Sequence, residues 1–184
     1  SRHRHTKSVI KQGLTGGEVI GVSADVSIES EVKEMVKSVV SEFGQLDVLV
    51  NNAGTSSATT LEEMTDNDLE IDFGIKVYGA VYCARAALPY LKSSGYGVIL
   101  NTTTAGGKAS TPGGQPTSLS RAAGISLTKS WAGELAKYNI RVNTVSPGGI
   151  FDNQDKTFVK NYSNQSPLKR MGNPNEVASV VLFL

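Results

Sequence analysis

Four short strings in this chain carry the residue types that could hold a ligand. They are Asp25-Val26, Asn51-Asn52-Ala53-Gly54, the stretch 101–107, and Pro147-Gly148-Gly149. Glycine in such strings lets backbone approach a flat ligand closely, while Asp25 and Asn52 set acceptors and donors beside it. Taken singly, each string is also an ordinary turn, since Gly, Asn and Asp dominate turns. What joins them is that each follows an apolar run that reads as a strand. Ligands of open α/β sheets bind beyond the carboxyl ends of the strands, so tips gathered on one edge predict a binding crevice. Metal chemistry is not expected, because His3 and His5 are the chain's two histidines and a pair without a third ligand rarely makes a site.

The elements that position these tips follow from apolar periodicity. Residues 18–24 read as a short strand with Val19, Ile20 and Val22, ending at Asp25. A helix comes next, with Ser27 as its cap, Glu29 and Glu31 at its positive end, and Val32, Met35, Val36, Val39, Val40 and Phe43 in one stripe stopped by Gly44. Residues 46–50 form a compact apolar run, interrupted only by Asp47, that reads as a parallel strand buried on both faces. The spacing predicts a long amphipathic helix over about 66–92, with Leu69, Phe73, Val77, Val81, Ala84, Leu88 and Leu91 facing inward and Gly95 beyond its end. Residues 98–101 are another strand. A polar, Gly-rich loop over 102–114 leads to a second long helix, about 118–137, whose Ala122, Ala123, Gly124 and Ala132 permit close packing. Residues 140–146 are a further strand, and a polar, mobile-looking segment runs on to Gly172. Asn173-Pro174-Asn175-Glu176 then starts a last helix, with Asn173 as cap, Pro174 at the first helical position and Glu176 completing a capping box.

Alternating strands and helices predict a doubly wound α/β domain, a Rossmann-like parallel sheet with helices on both faces, because each parallel step needs a crossover. The 184 residues read as one domain, without repeats or linkers. Eighteen Lys and Arg against seventeen Asp and Glu provide no field to recruit nucleic acid or a membrane surface. Cys83 is the one cysteine, which suits a reducing compartment, so the cytoplasm is the expected location. No apolar run reaches the roughly 18 residues of a membrane span, and the basic, polar start is unlike a signal peptide.

Together these strings resemble the short-chain dehydrogenase/reductase family. The resemblance is carried by Ala24-Asp25-Val26, by Asn51-Asn52-Ala53-Gly54 after an apolar strand, by Ala87-Leu88-Pro89 in the long helix, and by Ile140-Arg141-Val142-Asn143-Thr144-Val145-Ser146-Pro147-Gly148. It covers nearly the whole chain. It implies an NADP or NAD cofactor, with Asp25 and Val26 flanking the adenine and Asn52, Ala53 and Gly54 the adenosine ribose. Asn51 would brace the sheet, and Pro147, Gly148, Gly149 and Ile150 would lie beside the nicotinamide and its carboxamide. Arg2 stands where NADP-preferring members set an arginine against the 2′-phosphate, which tips the expectation toward NADP. The family's opening strand, glycine-rich turn and pyrophosphate-holding helix have no counterpart here, nor has its usual final strand. The resemblance therefore implies a crop of a longer protein, with cofactor binding dependent on the turn it lacks.

The family's catalytic residues are also replaced. Its general acid/base tyrosine corresponds to Thr117, the lysine four residues on to Arg121, the serine to Thr104 and the asparagine to Lys76. No Tyr-x-x-x-Lys occurs anywhere in the chain. Thr104 keeps a hydroxyl that donates and accepts as serine does. Thr117 does not replace tyrosine, because a phenol starts from a pKa of about 10 that can be tuned toward neutrality and an aliphatic hydroxyl cannot be. Threonine is also short for a carbonyl held against a tyrosine. Arg121 keeps the charge but with a planar fork and fixed protonation. Lys76 is expected to be an exposed lysine, and would offer a replacement proton donor only if burial lowered its pKa.

Two functions are carried forward. One is an NAD(P)-dependent oxidoreductase, reducing a carbonyl or oxidising an alcohol, whose chemistry is absent or severely reduced. Its small-molecule substrate would be sugar-like, given the polar loop over 151–170 with Asn153, Gln154, Asp155, Lys156, Asn161 and Gln165. The other is a non-catalytic binding or partner subunit. Its helices near 66–92 and 118–137 are those the family packs into dimers, so a homo-oligomer is expected on either reading.

Overall fold

The computed structural model describes residues 17–151 and 154–184, and within them the strand-helix alternation becomes a three-stranded parallel sheet. Strand β1 is Val48–Asn51, and a short strand β2, Ala58–Thr59, lies downstream of the NNAG tip. Strand β3 is Val98–Thr102, β4 is Gln115–Pro116 and β5 is Arg141–Val145. The order is β1-β3-β5, with Asn51 beside Asn101 and Thr102 beside Val145, so the three carboxyl ends share one edge. The helices are α1 Glu29–Phe43, α2 Asp66–Phe73, α3 Gly79–Ser94, α4 Thr117–Leu135, α5 Lys156–Gln165 and α6 Pro174–Phe183; α2 and α3 make the crossover from β1 to β3 and α4 that from β3 to β5, which the parallel direction requires.

Burial on both faces belongs to β3, not β1. Val98, Ile99, Leu100 and Asn101 are all buried, whereas in β1 Val48 is 49% and Val50 41% exposed. Residues 18–24 carry no strand, and no described residue pairs with them. A strand exists only by its ladder, so among the described residues β1 pairs on one side only, and it is β3 at the centre that is covered on both faces. Alanines from α3, Ala84 and Ala87, pack with Leu91, Ile99, Leu135, Ile140 and Val142 to form the core. Asn51 does brace the sheet: its Nδ2 donates to Asn101 Oδ1 at 2.9 Å, and Asn101 Nδ2 donates to the Thr128 hydroxyl of α4 at 2.9 Å.

Three local expectations are corrected. Ile28 stands at the N-cap of α1, and Ser27 instead bonds Asp25, donating from its amide at 2.9 Å and its hydroxyl at 2.6 Å. The segment before Gly172 contains α5, capped by Asp155, whose carboxylate accepts from the amides of Thr157 and Phe158 at 2.9 Å each. The long helix is interrupted by a π-helical turn, Gly74–Tyr78, where the Gly79 amide reaches back five residues to the Gly74 carbonyl. Elsewhere the reading holds: α1 ends at Gly44 in the left-handed region, and α6 starts on the Asn173–Glu176 capping box with Pro174 in its first turn. Among the described residues no helix is long and apolar enough to cross a membrane.

Candidate active site

The β2–β4 pair and the π turn build the site. The pairing of Ala58 with Pro116 and of Thr59 with Gln115 folds the chain after the NNAG tip onto the start of α4, so the Ser57 amide donates to the Thr117 hydroxyl at 3.2 Å. Across from it the π turn carries Lys76, and π turns recur at functional sites because the extra residue re-aims side chains. Lys76 is buried, contrary to the expectation of an exposed lysine: its side chain is 0% exposed and that of its ion-pair partner Asp72 1%. The ammonium donates to Asp72 Oδ2 and, at 2.9 Å, to Thr117 Oγ1. Thr117 in turn donates to Asp72 Oδ2 at 3.3 Å. The Thr117 hydroxyl is therefore engaged on three sides.

Asp72 escaped the sequence reading, though a signal for it exists. The buried face of α3 is the small-residue run Gly79, Ala80, Cys83, Ala84, Ala87 and Leu91. Stepped back by helical spacing from Ala80, that face passes through 76 and then 72, so a lysine and an aspartate four apart fall on the core side. The larger Leu69, Phe73, Val77, Val81 and Leu88 flank it.

Arg121, on α4, completes the cluster. Its Nη1 donates to the Thr102 carbonyl at 2.6 Å, while its Nε is buried without a partner. A Cβ placed on Gly54 would lie 2.6 Å from Arg121 Nη2 and 3.7 Å from Lys76 Cε, which brings the NNAG tip against both cations. Burial lowers the pKa of Lys76, with the Asp72 bond and charge opposing and the Arg121 charge adding to the drop. Burial also lowers that of Arg121, against the pull of Asp72. Lys76 and Arg121 line a small cavity of about 30 Å³ with Val26, Asn51, Ala53 and Thr103.

The remaining predicted positions divide into three groups. Asn52, Ala53 and Gly54 are exposed at the end of β1, and Asp25 is exposed, its carboxyl held below its ordinary range by the Ser27 hydroxyl and amide. Val26 is half-buried, with its side chain 2.9 Å from where a Cβ on Gly79 would sit. Thr104 and the Pro147 turn meet through the Ala105 amide, which donates to the Pro147 carbonyl at 3.3 Å, and they stand outside the cavity lining. The Thr104 hydroxyl has no hydrogen bond among the described residues. On the Pro-Gly-Gly turn, the Gly149 amide donates to the Tyr162 hydroxyl of α5 at 2.5 Å, and a Cβ on Gly149 would fall 2.3 Å from the Tyr162 ring. Ile150 bridges to Gly172. Arg2, His3 and His5 lie outside the described residues, among which no group of three His, Cys, Asp or Glu could hold a metal.

Residues 2–184 match the protein family described as Enoyl-(Acyl carrier protein) reductase. The chain is 35% identical over 183 residues to the 3-oxoacyl-[acyl-carrier-protein] reductase FabG of Thermotoga maritima, covering 96% of this chain and 74% of that one. It is 36% identical over 176 residues to a tropinone reductase homolog of Arabidopsis thaliana, covering 92% of this chain and 57% of the other. A solved structure of xylitol dehydrogenase with bound NAD+ superposes with a TM-score of 0.85 at 30% identity, over 98% of this chain and 76% of that one.

Proposed function

The chain belongs to the short-chain dehydrogenase/reductase family, and from that premise we propose that it is a nicotinamide-dinucleotide-binding oxidoreductase scaffold whose own chemistry is absent or severely reduced. The observation that carries this reading is the Lys76–Asp72–Thr117 network. An acid/base group must present a titratable proton to the substrate. Here the hydroxyl at the tyrosine position is held by an ammonium, a carboxylate and a backbone amide, and the ammonium itself donates to that hydroxyl and to the carboxylate. A bound nicotinamide supplies or accepts the hydride. What the chain must add is a proton at the reacting oxygen, and none of its four replaced positions is both free and tuned to give one: the Thr104 hydroxyl is free, but an aliphatic hydroxyl cannot be tuned toward neutrality.

The adenosine side of the crevice leaves room for a dinucleotide: Asn52 and Ala53 are exposed at the end of β1, and Asp25 is exposed at the start of the turn into α1. The nicotinamide side does not fit, because Arg121 stands against Gly54 and the Tyr162 ring lies on Gly149. NADP remains the favoured form through Arg2, and a hydroxylated, sugar-like molecule is the substrate class that the polar α5 region suits. Titration calorimetry with NADH and NADPH, followed by nicotinamide absorbance with a panel of ketones and sugars, tests the reading. No turnover is expected, whether or not the dinucleotide binds, and turnover matching that of relatives with an intact Tyr-x-x-x-Lys overturns the reading.

A second reading, a partner subunit acting through assembly, is favoured by the apolar residues left exposed on α2, the π turn and α4. Ile71 is 49%, Tyr78 56% and Leu119 43% exposed. A homo-oligomer built on these helices, located in the cytoplasm, accords with both readings. Sedimentation velocity distinguishes a dimer or tetramer from a monomer.

A further inference from the structure

We propose that Arg121 and Lys76 form a binding subsite for a small monoanion of the carboxylate class, beside Gly54 at the carboxyl edge of the sheet. The inference concerns a ligand other than the dinucleotide and stands whether or not a nicotinamide binds. Its first ground is charge. Two cations line one cavity, and the acidic group that meets them is Asp72, whose Oδ2 receives Lys76 and Thr117 and whose buried Oδ1 makes no hydrogen bond to Arg121 or any other described residue. Arg121 has no ion pair among the described residues, and its one acceptor is the neutral Thr102 carbonyl. One positive charge is thus left without a paired anion on a half-buried guanidinium, an arrangement that costs stability until an anion arrives.

The second ground is shape. With Nη1 engaged, the guanidinium keeps its Nε–Nη2 edge, and Nε is buried with no partner. Two parallel N–H groups on that edge match the two oxygens of a carboxylate. The cavity, about 30 Å³, has room for a planar carboxylate head, since a single water needs roughly 10–15 Å³ by the same kind of measure. A phosphate dianion exceeds both that volume and the single charge to be matched. Burial is the main cause of the lowered pKa of Lys76, and the neighbouring Arg121 charge adds to it.

The test is calorimetric titration of the protein with sodium formate and, separately, sodium chloride, with ionic strength held constant by sulfate. Saturable formate binding is expected, tighter than chloride. R121K keeps the charge and loses the fork, so formate affinity should fall by about tenfold or more, the scale of a hydrogen bond to a charged group. R121Q loses both and should abolish saturation. Circular dichroism checks that each variant is folded, and should R121Q unfold, R121K and the formate-dependent rise in Tm of the unsubstituted protein carry the test. No saturable formate binding, equal formate affinity in R121K, or chloride binding as tight as formate would each overturn the proposal.

Discussion

The Lys76 ammonium donates to the Thr117 hydroxyl at 2.9 Å across 41 residues of chain, joining two of the four positions that the proposed reading sets against the family's catalytic residues. The departures are therefore coupled. Thr117 is small where a tyrosine is expected, and Lys76 is long where an asparagine is expected. The lysine reaches into the neighbourhood of the threonine and brings Asp72 with it.

That coupling decides which reversion restores chemistry. Thr117→Tyr with Arg121→Lys returns the titratable phenol and its ammonium, yet places the ring against the buried Lys76–Asp72 pair. Adding Lys76→Asn removes the obstruction. The triple variant should raise turnover over the unsubstituted protein by roughly 10³-fold or more, the scale on which catalytic sets act, and the double variant by less. Nicotinamide absorbance with a responsive ketone reads both, and no gain in the triple variant places the loss outside these residues.

Asp72 and Lys76 also set a stability prediction. Both side chains are removed from solvent, so breaking one partner leaves the other charge uncompensated. Asp72→Asn should destabilise the fold by about 3–5 kcal/mol, whereas Asp72→Leu with Lys76→Met should be near neutral, since a packed apolar pair avoids desolvating two charges. Urea denaturation with the two-state analysis measures both. Equal losses in the single and double variants would show that the pair contributes through shape rather than charge.

The sheet edge was legible in the sequence because parallel strands leave their ligand-facing tips in glycine- and asparagine-rich strings, and α6 because its capping box is local. Other features depended on distant partners. Residues 18–24 have strand periodicity but no ladder among the described residues, and α5 is a ten-residue, mostly polar helix whose short apolar face, Phe158, Val159 and Tyr162, lies among residues that read as a loop. Lys76 and Asp72 were hidden because the apolar stripe was drawn through large residues, whereas the buried face of α3 is made of small ones. The β2–β4 pair, only two residues long on each side, carries no pattern at all, yet it delivers Ser57 to Thr117.

Gly149 offers a steric prediction. Gly149→Ala would set a methyl 2.3 Å from the Tyr162 ring, inside any allowed contact. The ring must leave, and the loss of its bond and packing should cost about 1–3 kcal/mol, the scale of overpacking. Combining Gly149→Ala with Tyr162→Ala should recover most of the steric part. Thermal unfolding of the two variants beside Tyr162→Ala alone reads the coupling, and strict additivity would mean that the contact is not made in solution.

The acid side of the stability profile should depend on Glu176. Its carboxylate receives Arg170 Nη2 at 2.7 Å, Arg170 Nη1 at 2.8 Å and the Asn173 amide at 2.7 Å. The Arg170 bonds come first among the causes that lower its pKa from 4.5 to about 2. A depressed folded-state value means that the unfolded chain binds this proton more readily. The contribution is thus fully present above about pH 4.5 and is lost as pH falls toward 2. Glu176→Gln deletes the titration while keeping an acceptor for the Asn173 amide. Between these pH values the variant's Tm should fall less steeply than that of the unsubstituted protein, with Asp25, Glu29 and Asp68, also held below their ordinary values, titrating alike in both. Parallel Tm profiles would mean that the Arg170–Glu176 clamp, half-exposed on both sides, is too well solvated to bias folding.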